Sequence, residues 1–113
     1  MWEKTRLRGV SISLVYITAK NKKEARKIGQ ALVKARLAAG VNIIDKISSI
    51  YRWKGRIRNK TEAILIAKTK KSLVKKLIEK VKALHSYACP CIVAIPIIDG
   101  NLNFLDWVQK ETL

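Results

Sequence analysis

The chain has 113 residues, 49% of them hydrophobic, with two cysteines and a net charge of +16. That length and composition exclude a disordered chain and a disulfide framework, and they suit one domain with a single core. No run of eighteen apolar residues occurs, so no membrane-spanning helix is predicted.

The basic residues number 24 against eight acidic ones. Such a balance fits a nucleic acid, anionic lipid or acidic partner, and equally a lysine coat that keeps an assembly soluble. Lysine outnumbers arginine, which is the better reader of phosphates and bases. The opening residues 1–9 lack the apolar centre of a secretion signal. They are expected to form a basic extension before one domain over 10–113, and residence in the cytoplasm is expected.

In chain order, residues 10–18 are predicted as a strand. Val10, Ile12, Leu14 and Tyr16 alternate with Ser11 and Ser13 before Val15 and Ile17 fill the other face. Apolar residues on both faces suit the middle of a sheet. Asn21 can cap a helix running to about Leu37, with Ala25, Ile28, Leu32 and Ala35 on one stripe and Gly40 as its stop signal. A long strand over 41–53, a turn at Lys54-Gly55 and a return over 56–69 predict a hairpin. Its tip, residues 52–60, is too basic for a core, and so long a hairpin needs a surface to lie against.

Ser72 is the expected cap of a second helix, whose stripe is Leu73, Val74, Leu77, Ile78, Val81 and Leu84. Residues 91–98 read as a fourth strand in which Pro96 marks an edge or bulge, and 102–109 as a short closing helix. Strand, helix, strand, strand, helix, strand is the α+β ferredoxin-like order (βαββαβ), here with a long β-hairpin and an extra C-terminal helix.

His85, Cys89 and Cys91 hold the only imidazole and both thiols. They are candidate ligands for copper(I) or zinc, with positions 89 and 91 on one side of an extended strand. The other reading makes both cysteines small buried hydrophobes and His85 a favourable helix terminus. The spacing argues against a disulfide between them. No phosphate loop, zinc-protease motif, nucleophile elbow or paired-carboxylate arrangement occurs, so no enzymatic activity is expected.

Motifs in one unbroken order over 10–112 resemble the CutA family of divalent-cation tolerance proteins. They are Tyr16 and Thr18; Arg36-Leu37-Ala38-Ala39-Gly40-Val41-Asn42; and the hairpin Ser49-Ile50-Tyr51-Arg52-Trp53-Lys54-Gly55-Arg56-Ile57. Glu62, Lys68-Thr69, Leu84-His85-Ser86-Tyr87 with Pro90, and Ile95-Pro96 through Trp107 complete them. The resemblance implies a homotrimer with hairpin arms crossing subunit boundaries, a build similar to the PII signalling proteins, and a link to copper. It implies no obligatory cofactor, copper or another divalent cation being the candidate ligand. Three positions depart from the family: Gly40 replaces a cysteine, Ser86 a histidine or proline, and Lys54 a glutamate.

Within such a trimer, Tyr51, Trp53, Tyr87 and Trp107 are expected to line an intersubunit cleft, with Glu62 and Lys68 as polar handles for a metal ion or small anion. The alternative is that these aromatics fill an intersubunit core. A competing function is an electrostatic nucleic-acid-binding module, but the central strands carry no aromatic stacking signature.

Overall fold

The structure, a computed structural model, describes residues 11–113. The expected basic extension over 1–9, together with Val10, lies outside the described residues. The elements are β1 (Ile12–Ala19), α1 (Lys22–Lys34), β2 (Gly40–Trp53), β3 (Arg56–Lys70), a 3-10 turn (Lys71–Leu73), α2 (Val74–Leu84), β4 (Ile92–Pro96) and α3 (Leu102–Glu111). One antiparallel sheet of order β2-β3-β1-β4 carries them, which is the ferredoxin-like arrangement with one added helix.

The period-2 alternation of β1 and β3 divides the sheet into two unlike faces. Val15, Ile17, Ala19, Ala63, Leu65 and Ala67 meet Ala25, Ile28 and Leu32 of α1 and Leu77 and Val81 of α2 in the main core. The alanines let α1 approach closely. Indeed a Cβ built on Gly29 would fall 2.9 Å from Val41 Cγ2 and 3.2 Å from Leu65 Cδ1.

The opposite face is only partly covered. α3 closes one end of it, where Leu105 and Val108 pack on Ile12 and Ala39. Gly40 lies beneath this helix, 3.3 Å from Trp107 Cη2 to where a Cβ would stand. Beyond α3, register lines up Ile95, Leu14 and Lys68 in one row and Val93, Tyr16, Ile66 and Asn42 in the next. Thr18, Ile64 and Ile44 form a third row, and Ile44, Val93 and Ile95 are about half exposed.

Local signals explain most boundaries. Asn21 Oδ1 accepts the Glu24 N–H at 2.9 Å, so the expected cap forms. Lys54 and Gly55, at φ 50° and 76°, make the tight turn whose left-handed geometry matches strand twist. Between Ile44 and Ile47 the register shifts by one residue, with Lys46 at φ 56°. This bulge flips the strand, so that Tyr51 and Trp53 join the face of Tyr16 and Ile64.

Four expected boundaries are corrected. α1 ends at Lys34, not near Leu37, and the stop is Arg36 in the left-handed region (φ 58°), with Leu37 N donating to Leu32 O at 2.9 Å. Gly40 instead opens β2. Ser72 caps nothing: it lies in the 3-10 turn, and α2 begins after Leu73 without a side-chain cap. β4 is shorter than expected and starts after Cys91.

Candidate functional site: a cleft on the open sheet face

The end of the open face away from α3 forms a cleft of about 840 Å³ between the hairpin and the 85–91 loop. Tyr16 and Thr18 of β1, Tyr51 and Trp53 of β2, and Lys60 and Glu62 of β3 line it, facing Tyr87, Cys89 and Cys91 from the loop. Ser49 pairs with Lys60, Tyr51 with Arg58 and Ile47 with Glu62, so the bulge places these chains on one surface.

Its polar centre is Tyr87. The phenol donates to Glu62 Oε2 at 2.6 Å, and the Lys60 ammonium stands 4.0 Å from the ring centroid. Burial, then the hydrogen bond and charge of Glu62, push this phenol well above its ordinary range, so it stays a neutral donor at physiological pH. Glu62 is itself buried.

A second set of bonds fastens the loop. His85 is wholly buried at its side chain. The Tyr87 N–H donates to Nδ1 at 3.1 Å, which makes Nδ1 an acceptor and Nε2–H the donor to Thr18 O at 2.7 Å. Glu24 accepts the Ser86 N–H at 2.8 Å and the Lys20 N–H at 2.9 Å. Burial alone would raise the Glu24 carboxyl. The amides of Lys20 and Ser86 and the Ser86 side chain outweigh it and hold the group below the ordinary carboxylate range.

The structure therefore regroups the expected site residues. Tyr51, Trp53, Glu62 and Tyr87 share the cleft. Lys68 does not: it bonds Asn42 Oδ1, and burial lowers its pKa. Trp107 stands at the other end of the face, against Gly40. Lys60 takes the place expected of Lys68, a residue identifiable from period-2 spacing with Glu62. The expected ligand trio is corrected too, since both His85 nitrogens are engaged and the ring is enclosed. Among the described residues no three His, Cys, Asp or Glu side chains gather into a group that could hold a metal ion. Cys89 and Cys91 are exposed thiols in the loop, not buried hydrophobes and not on the strand.

A small α+β domain with one sheet face left open and a cleft at its edge matches one known family closely. Residues 13–111 match the model described as "CutA1 divalent ion tolerance protein". The divalent-cation tolerance protein CutA of Thermus thermophilus is 48% identical over 99 residues, covering 88% of this chain and 96% of that protein. Human protein CutA is 41% identical over 102 residues, spanning 90% of this chain and 57% of its own length. The crystal structure of CutA1 from Oryza sativa superposes with a TM-score of 0.89 at 39% identity, covering 92% of this chain and 95% of that one. The chain belongs to the CutA1 divalent ion tolerance family, whose name designates tolerance to cations and no reaction.

Proposed function

We propose that the chain acts in divalent-cation tolerance as a cytoplasmic, non-enzymatic homotrimer that holds its ligand at clefts between subunits. The open sheet face is the observation that carries this reading. Leu14, Tyr16, Ile64 and Ile66 are half-buried while Ile44, Val93 and Ile95 stand about half exposed, a contiguous apolar surface of the kind soluble chains cover. The hairpin adds Ile50 and Ile57, exposed at 73% and 66%, on a strand pair that projects beyond its own core. Copies of the chain supply matching apolar surface, and the family resemblance favours three.

Within that assembly the cleft offers two aromatic faces, the Lys60 ammonium and the Tyr87–Glu62 pair, which suit a small anion or a coordinated cation. Nucleic acid fits less well. The open face carries one tyrosine on its central strands, so contact with DNA or RNA is electrostatic, weak and lost as salt rises.

The functional test is growth in raised copper of a host lacking its own family member. The parent chain is expected to restore growth, and a Tyr51→Ala/Trp53→Ala variant to restore it less. Equal growth with and without the parent chain would contradict the proposal.

A further inference from the structure

We propose that the outer surface of α1 and α2 docks the chain on an anionic lipid bilayer, as a lysine-made peripheral contact that salt reverses. The proposal goes beyond the cleft reading and does not rest on it, since these helices cover the sheet face opposite the open one.

The periodicity that builds the core also sorts the charges. α1 turns Ala25, Ile28, Gly29 and Leu32 to the sheet, and α2 turns Leu77 and Val81. At about 100° per residue, the positions directed away are Lys23, Lys27 and Lys34 on α1 and Lys75 and Lys82 on α2, with Lys76 at their flank. All six are exposed. One exposed acid, Glu79, stands among them, while Glu24 is buried and holds the Lys20 and Ser86 amides. Among the described residues no ion pair joins any of the six ammoniums to a carboxylate. Lys23 and Lys27 stand one helical turn apart, a like-charge spacing that weakens a helix. The patch therefore does not hold α1 together, and its charge is complementary to a polyanion.

The kind of cation decides which polyanion. α1 carries five basic residues and α2 four, and only Arg26 among them is arginine. Arginine's planar fork grips single phosphates and base edges, and this chain places it on the hairpin, as Arg52, Arg56 and Arg58. Neither helix has an aromatic side chain on which a base could stack. What remains is point charges on flexible stems over two helices packed side by side, which fits a broad layer of lipid phosphates better than a nucleic-acid groove. Among the described residues no helix is long and apolar enough to cross a membrane, so the contact stays at the headgroups. A lysine near an anionic leaflet contributes about 1 kcal/mol, or about fivefold in partitioning. Screening at physiological salt limits its reach to about 8 Å. The described chain is 50 Å long, so the hairpin arginines lie outside the reach of a leaflet held by the helices.

The test is co-sedimentation of the intact chain with vesicles of mixed phosphatidylserine and phosphatidylcholine, and with phosphatidylcholine alone, at about 0.1 M salt. The parent is expected to bind the mixed vesicles only and to leave them as salt rises. Lys23→Gln/Lys27→Gln/Lys34→Gln and Lys75→Gln/Lys76→Gln/Lys82→Gln should each weaken binding about 100-fold, three contributions of about fivefold. Glutamine is a good helix former, so both should fold. Arg52→Gln/Arg56→Gln/Arg58→Gln removes the same charge from the hairpin and should weaken binding by less than about fivefold. Duplex DNA at equal phosphate concentration should leave the chain on the vesicles. No binding to the mixed vesicles, equal binding to neutral ones, or a hairpin variant as weak as the helix variants would overturn the assignment. Displacement by DNA would overturn the choice of lipid. Circular dichroism and oligomeric state on the same samples separate these outcomes from loss of fold and from failure of the trimer reading, since docking needs only one copy of the helix pair.

Discussion

Replacing Tyr87 by phenylalanine removes one oxygen and little else. The ring stays, and with it the Lys60 ammonium 4.0 Å away and the His85 ring at 4.8 Å between centroids. What goes is the 2.6 Å donation to Glu62 Oε2, on a carboxylate only 7% exposed. Hydrogen bonds to charged groups contribute about 1.5–3 kcal/mol, and the carboxylate left behind has little water to replace the phenol. Tyr87→Phe should therefore destabilise by about 1.5–3 kcal/mol in denaturant melts at fixed protein concentration with an unchanged slope. Glu62→Gln keeps an acceptor and should cost less, and the double variant should cost less than the sum of the singles. The raised phenol gives an independent check. Its folded-state pKa lies above the unfolded one, so the contribution is whole below pH about 10 and is lost as pH rises beyond that. Ultraviolet titration should find one of the three tyrosines lagging, and Glu62→Gln should bring it down. A Tyr87→Phe loss below about 0.5 kcal/mol, the level of an ordinary surface change, would refute the claim that this pair anchors the cleft.

Three other expectations follow from single contacts. Glu24 has a lowered folded-state pKa, so its contribution is present above the ordinary value of 4.5 and disappears as pH falls through the folded value; Glu24→Gln should flatten the acid limb of the stability profile. Gly29→Ala places a methyl 2.9 Å from Val41 Cγ2, and overpacking of about 1–3 kcal/mol should outweigh the roughly 1 kcal/mol gained in helix propensity, lowering Tm. Arg36 donates to the carbonyls of Glu111 at 3.1 Å and Lys110 at 3.0 Å, so Arg36→Ala should speed amide exchange at the end of α3 while leaving the cleft's Tyr87 titration unchanged.

The elements were legible where the chain states them locally. Asn21 marks a helix start, Lys54-Gly55 a tight turn, and the two-faced apolar pattern of Leu14-Val15-Tyr16-Ile17 a strand in the middle of the sheet, and all three hold. The end of α1 was not legible, because an arginine occupies the left-handed position that glycine usually fills. The guanidinium's bonds to α3, 74 and 75 residues away, reward it there. Ser72 misled for the opposite reason, since a serine before an apolar stripe looks like a cap whether or not a 3-10 turn intervenes. In the site, Tyr51, Trp53, Glu62 and Tyr87 came from the family pattern. Lys60 could be found only through its period-2 spacing with Glu62, and the bulge between Ile44 and Ile47 decides which β2 residues face it. His85 resembled a ligand because sequence shows a residue's chemistry but not whether its two nitrogens are already spent.

All of this leaves an apolar sheet face and a projecting hairpin that only other copies of the chain are proposed to cover. Sedimentation equilibrium at micromolar concentration measures that directly. The account predicts a single species of three times the 12.8 kDa chain mass, shifted toward smaller species by Ile66→Lys on the open face. A monomer of the parent chain at that concentration would contradict it.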